Sequence, residues 1–383
     1  MKKTIFVLAA LAVVIAALAG GAAFLLRQKH LQELSRIASQ AEDKLKSKSY
    51  DQAIAMLRKV EADGGTDRST YLMGRAFAEQ GKTEQAENYY NRLLKDYPKS
   101  SFMPDTRLEL ARFRFAEKDY KGAQDQLLQI LAKSPKSTAA DFALVMLAKI
   151  SLQNRDEAQA RRNLEIVLRK KDSPAKSDAE FVIGDLNMKR LKSPDPGPGD
   201  ETYTIKPGDT LSKMERKLKV PADLLMGIND LSPLTLRVGR TIRVPHLDIS
   251  LVIDKTRRTL SILNNGEFLK KYHVGLNQND KLLPAGDYSV TKKYPKGLAY
   301  IKDDSSEEIK AGAPNNPYGT RFIELRRGVG IHGTNDPEKV GGLVSNGSIV
   351  MSNHDVEELY ALVKTKTPVT VKGSVSGDAG QGK

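Results

Sequence analysis

The chain contains no cysteine and no tryptophan. Without cysteine there is no disulfide, no thiolate metal site and no cysteine nucleophile supplied by this chain. Without tryptophan, a surface that stacks on sugar rings must use tyrosine, phenylalanine or backbone. Acidic residues are outnumbered, 47 against 61 lysines and arginines, for a net charge of +14 over 383 residues. That balance suits an anionic setting such as nucleic acid, acidic lipid or an acidic wall polymer. His246, His273 and His354 have no acidic partners at metal-ligand spacing, so neither a metal nor a cofactor is expected.

Charge is also missing from one long stretch. After Lys2-Lys3, residues Ile5 to Leu26 carry none, and Arg27 and Lys29 close the run. As a helix it would be about 33 Å long, enough for a hydrocarbon core of about 30 Å. This predicts an N-terminal transmembrane helix, residues 1–29 acting as signal-anchor, with the bulk outside the cytoplasmic membrane. The alternative is a signal peptide cleaved near Ala17-Leu18-Ala19.

Residues 30–191 read as helix after helix. Ala53, Ala86, Ala123 and Ala158 follow similar turn signals at spacings of 33, 37 and 35, and Pro98-Lys99-Ser100 recurs as Pro135-Lys136-Ser137. A period near 34 residues with small residues at helix contacts resembles tetratricopeptide repeats and implies an all-α stacked solenoid. Its concave face could receive a partner protein. Residues 192–200 hold three prolines and two glycines, a linker that cannot continue a helix.

Residues 201–246 start with Tyr203-Thr204-Ile205-Lys206-Pro207-Gly208-Asp209-Thr210-Leu211 and close with Gly239 through Pro245. The pattern is strand, two short helices, strand. Asp209 or Thr210 caps the first helix. This βααβ unit resembles a LysM domain. The resemblance implies a shallow groove for N-acetylglucosamine-containing glycans, lined by Gly208, Asp209, Thr210, Ile228 and Asn229.

From Ile249 the apolar period becomes two, and Asn265-Gly266 signals a hairpin. Strands around 288–290 and 321–325, a helix over 355–363 and a strand over 368–371 complete a mainly-β domain across residues 247–372. A Gly/Ser-rich tail, 373–383, is expected to be disordered. Pro284-Ala285-Gly286, Asn316-Pro317-Tyr318-Gly319, Ile331-His332-Gly333-Thr334 and Ser345-Asn346-Gly347-Ser348-Ile349-Val350-Met351 follow in that order. Together they resemble the YkuD-type L,D-transpeptidase catalytic domain, whose members cross-link peptidoglycan stem peptides through a cysteine thioester.

By that resemblance His332 stands at the family's base, and Ser348 stands where the cysteine should be. Asn346 replaces a second histidine and Val350 an arginine or asparagine. A hydroxyl must lose its proton during attack, whereas a thiol near pKa 8.5 can be ionised beforehand. Misplacement of the attacking atom by about 1 Å costs on the order of 100-fold. The three departures together imply a catalytically degenerate groove that grips stem peptide while LysM grips glycan. The Gly347 and Ser348 amides are then an anion-binding nest. The alternative is an active transpeptidase or carboxypeptidase with Ser348 as nucleophile and His332 as base. The expected partners are peptidoglycan glycan strands and stem peptides, the membrane through the N-terminal helix, and a protein on the solenoid. Nucleic acid is excluded by the leader and these modules. The expected location is the cell envelope.

Overall fold

In the computed structural model, residues 2–193, 195–197, 199–234, 236–301, 308–345 and 348–375 are described; within the first helix, side chains are described at residue 21 and from 25 onward. The chain divides into two compact units, Met1–Asn154 and Arg155–Lys383.

The first unit consists of helices α1 (Lys2–Lys46), α2 (Tyr50–Ala62), α3 (Asp67–Glu79), α4 (Thr83–Asp96), α5 (Met103–Ala116), α6 (Tyr120–Lys133) and α7 (Thr138–Gln153). Sequence-adjacent helices pack against one another along the unit. Ala53, Ala86 and Ala123 are fully buried. Each lies four residues after an N-cap, at Ser49, Lys82 and Asp119. There a small side chain lets one helix approach the next closely. The fourth marker is displaced. In α8 (Glu157–Leu168), capped by Asp156, the buried alanine is Ala160, and Ala158 is exposed. The repeat is tied to the cap rather than to the sequence Asp-Glu-Ala.

Among the described residues no helix is long and apolar enough to cross a membrane. This corrects the expected transmembrane helix over Ile5–Leu26, and the membrane tether inferred from it loses its basis. The segment is the first half of a single 45-residue helix, α1, which ends in Lys44 and Lys46. The second half is amphipathic and buries Leu34, Ala38, Ala41 and Leu45. The apolar run therefore leads directly into a solenoid helix.

The second unit begins with α8 and α9 (Lys176–Lys192). The small module follows as β1 (Glu201–Thr204), α10 (Leu211–Leu218), α11 (Ala222–Asn229) and β2 (Thr241–Val244), with β1 antiparallel to β2. Then come β3 (Ile249–Asp254), β4 (Thr259–Asn264), β5 (Glu267–His273), β6 (Gly275–Asn277), β7 (Gly286–Ser289), β8 (Lys292–Tyr294), β9 (Tyr300–Ile301), β10 (Glu308–Ile309), β11 (Phe322–Arg326), β12 (Val329–His332), β13 (Leu343–Val344), β14 (Ile349–Val350), α12 (Asn353–Leu362) and β15 (Pro368–Lys372). One sheet has the order β5-β4-β3-β15-β7 and another β13-β6-β14-β12-β11-β8.

The period-two reading of β3 holds: Ile249, Leu251 and Ile253 are buried and the alternate positions are partly open. Asn265 and Gly266 both have positive φ, 52° and 79°, as a two-residue type I′ turn requires between β4 and β5. A continuous core joins the two sheets to the small module, including Leu251, Ile262, Ile331 and Ile349 with Leu225 and Ile242. Helix α9 seals part of this unit. Its Phe181 ring stacks on His273 at 4.0 Å between centroids, Asn187 donates to the Leu269 carbonyl at 3.1 Å, and Lys271 pairs with Glu180 at 2.6 Å. Of the expected disordered tail, Ser374 and Val375 donate to Thr256 and Asp280. Residues 376–383 lie outside the described residues.

Candidate functional site

Strand β14 positions the key loop. It lies between β12, to which it is parallel, and β6, to which it is antiparallel, with Ile349 opposite both Ile331 and Leu276. Ser348 immediately precedes β14 and His332 ends β12. His332 pairs in register with Val350, so two residues of sheet rise separate it from the serine level. Asn346 and Gly347 lie outside the described residues, and with Gly347 one of the two amides of the expected nest.

Ser348 is 5% exposed. Its hydroxyl oxygen accepts from the Gly330 N–H at 3.2 Å, and its carbonyl accepts from the Asn277 N–H at 3.1 Å. Gly330 is obligatory, because a Cβ there would sit 2.2 Å from the Ile323 carbonyl oxygen. Ser348 faces a cavity of about 380 Å³ whose walls include Asn277, Gln278, Asn279, Tyr318 and Phe322. Asn277 also donates to the Ser345 carbonyl at 3.0 Å, tying β6 to the turn before Ser348.

His332 sits behind the cavity wall. Its ring stacks on Phe322 with 5.8 Å between centroids and 4° between planes, and Tyr318 meets it edge-on at 5.0 Å. Nδ1 bonds the Gly333 carbonyl at 2.7 Å, so Nδ1 carries the proton of the neutral ring and Nε2 the lone pair. Nε2 is buried and has no hydrogen-bond partner among the described residues. Burial pushes the imidazole pKa down to about 4, against a modest upward pull from the Gly333 carbonyl. The histidine is therefore neutral near pH 7 and a weak base. The serine–base hydrogen bond that would activate a hydroxyl is not formed.

The motif residues around this pair are braces. The Asn316 amide, fully buried, donates to the Leu298 carbonyl at 2.8 Å and the Lys310 carbonyl at 3.0 Å, and accepts from the Tyr318 N–H at 2.8 Å. This fixes Tyr318 on the cavity wall. Asn353 at the start of α12 accepts from the Thr320 N–H at 3.1 Å and packs so closely on Gly333 that a Cβ there would be 2.2 Å away. Neither Tyr318 nor Phe322 is among the site residues expected from the sequence. The signal was the tyrosine within Asn316-Pro317-Tyr318-Gly319.

In the small module, Thr210 caps α10 by accepting from the Lys213 N–H at 3.3 Å. Asp209 accepts from the Lys206 N–H and the Tyr203 hydroxyl, both at 2.8 Å, and these bonds hold its carboxyl below the usual range. Gly208 is exposed with φ +79°. Ile228 is buried in the core. Asn229 links α11 to β2, donating to the Leu225 and Arg243 carbonyls at 3.1 and 2.8 Å and accepting from the Arg243 N–H at 2.7 Å. Gly208, Asp209 and Thr210 thus share one loop, whereas Ile228 and Asn229 face the interior and the closing strand.

The fold and the loop define a chain with a LysM module followed by an L,D-transpeptidase-type β domain. Family models match as LysM domain at residues 203–245, L,D-transpeptidase catalytic domain at 248–371 and tetratricopeptide repeat at 69–100. YqjB of Bacillus subtilis (strain 168), an L,D-transpeptidase by name, is 34% identical over 130 residues, covering 32% of this chain and 71% of that protein. YkuD of the same strain, likewise so named, is 27% identical over 177 residues, covering 44% of this chain and 98% of that protein. A solved L,D-transpeptidase from Mycobacterium smegmatis is 17% identical with a TM-score of 0.28; the match covers 36% of this chain and 65%, under two thirds, of that one. The chain belongs to the L,D-transpeptidase catalytic-domain family.

Proposed function

We propose that this chain is a peptidoglycan-associated cell-wall protein that grips glycan through its LysM module and stem peptide through a transpeptidase-type groove, without turnover. One observation carries the reading. The Ser348 oxygen is engaged by the Gly330 N–H, and the base by family position, His332, is neutral, shielded by Phe322 and Tyr318, and not bonded to it. A serine needs its base in line during attack, and this pair does not supply one. The cavity beside Ser348 is lined by amide side chains and two aromatic rings, which suits a peptide backbone held in place.

The unpartnered Nε2 of His332 favours a second reading, in which a side-chain shift brings a free lone pair to the Ser348 hydroxyl. Incubation of the full chain with disaccharide tetrapeptides, followed by mass spectrometry, separates the two. The expected result is the same product profile for the wild type and Ser348→Ala, with the peptide bound by both. Ser348-dependent release of the terminal residue, or an ester on Ser348, would establish the enzyme. Ser348→Cys serves as the comparator for substrate access.

A further inference from the structure

The solenoid carries a second cavity, remote in sequence from every residue discussed above as a site. It has a volume of about 460 Å³, within the range of ligand pockets. It opens where the end of α4, the turn carrying Pro98-Lys99-Ser100, the start of α5 and the end of α6 meet. Its titratable lining is entirely cationic: Lys99, Arg107 and Lys133. Arg107 is partly buried, and its guanidinium donates to the Gln126 amide oxygen at 2.7 Å. No carboxylate pairs with any of the three among the described residues. Asp67 accepts from the hydroxyl of the lining residue Ser100 at 2.8 Å. Burial accordingly pulls the Arg107 pKa down, with no anion to raise it.

The rest of the wall is mixed, with Leu94 and Met103 its large partly exposed apolar residues and Ser100, Ser101, Gln129 and Ser134 its polar ones. A bare polyanion would leave Leu94 and Met103 against hydrated charge, an unfavourable exchange on that part of the wall. A carboxylate beside a large apolar side chain satisfies both halves. We infer that this solenoid cavity binds a segment of a partner protein that carries an acidic residue next to a large apolar one. The carboxylate faces Arg107 with Lys99 and Lys133, and the apolar group lies on Leu94 and Met103. Arg107 supplies a planar fork matched to a carboxylate, and the two exposed lysines add a field that salt weakens.

Fluorescence anisotropy with the full chain tests this, using a labelled peptide of alternating glutamate and leucine and its glutamine twin. The acidic peptide should bind at least about tenfold more tightly than the twin. Arg107→Gln should weaken it by about tenfold, and Lys99→Gln with Lys133→Gln should flatten its salt dependence. The two lysines are exposed, so that double variant keeps the test open even where Arg107→Gln perturbs folding. Equal binding of the twins, no binding below about 1 mM, or indifference to both variants would overturn the inference. Arg107-dependent displacement of the peptide by polyphosphate or phosphatidylglycerol vesicles at lower concentration than by unlabelled peptide would overturn it too, assigning the cavity to a phosphate ligand.

Discussion

The hydroxyl oxygen of Ser348 accepts a hydrogen bond from the backbone N–H of Gly330 at 3.2 Å, across the parallel pair β12–β14. Both residues are buried. Removing the hydroxyl leaves a buried donor without its acceptor, which costs about 1–3 kcal/mol. Ser348→Ala should therefore unfold at lower denaturant concentration than the wild type. Equilibrium unfolding followed by circular dichroism checks this. An unchanged midpoint would show that the hydroxyl has no structural part and would return it to the chemistry.

His332 gives the second unit a pH signature. Unfolded, its imidazole titrates near 6.5; folded, burial holds it to about 4. Above pH 6.5 the ring is neutral in both states and adds no pH dependence. As pH falls from 6.5 to 4, the unfolded chain takes up a proton that the folded chain refuses, so stability drops. The full loss, on the order of 3 kcal/mol, is reached below the folded pKa. His332→Phe, which keeps a ring between Phe322 and Tyr318, should remove this share of the acid sensitivity. The direct measurement is the His332 ring resonance by NMR, which should not titrate between pH 5 and 8. A midpoint near 6.5 would mean that the ring is solvated and available to Ser348.

How much of this was legible beforehand follows from the range of the forces involved. The turn at Asn265-Gly266 and the alternation in β3 were readable because each is decided by neighbours along the chain. The cap at Thr210 was readable for the same reason. The apolar run over Ile5–Leu26 misled because composition alone does not show where a helix ends. Here α1 continues for another five turns into the solenoid core. Ala158 was taken for the packed residue because the Asp-Glu-Ala string resembles the other markers. The cap at Asp156 places Ala160 inward instead. Ser348 was readable as a departure from its family. That its oxygen meets Gly330, while Phe322 and Tyr318 close over His332, depends on strand register and ring packing between residues far apart in sequence. No local pattern encodes those contacts.

Asn229 and Asp209 should separate brace from binding surface in the LysM module. Asn229 makes two hydrogen bonds to Arg243 on β2 and one back to Leu225 within α11, whereas Asp209 sits on the loop beside Gly208. Asn229→Ala strands the Arg243 N–H and two carbonyls, so it should cost about 2 kcal/mol and lower the melting temperature. Asp209→Ala, which gives up the bonds from the Lys206 N–H and the Tyr203 hydroxyl on an exposed loop, should lower melting less than Asn229→Ala does. Pull-down with purified sacculi adds the functional half. Asp209→Ala weakening retention more than Asn229→Ala, despite the smaller change in melting, places the loop in the glycan site. Full retention would remove Asp209 from it.

The pairing of Lys271 with Glu180 makes a last prediction about where the second unit begins. Lys271 is 7% exposed on β5, and its ammonium lies 2.6 Å from Glu180 and 3.1 Å from the Ser177 hydroxyl, both on α9. Glu180→Ala leaves that ammonium buried with only a neutral oxygen, a loss of about 3 kcal/mol for a pair this enclosed. Glu180→Gln keeps a hydrogen-bond acceptor and should lose less. If α9 is integral to the unit, both variants lower the melting temperature of a fragment spanning residues 155–375, in that order. A fragment beginning at residue 193 should then be the least stable and the most readily cleaved by protease along β5. Equal melting of the two fragments would show that α9 merely rests on the sheet, and the unit would begin with the LysM module instead.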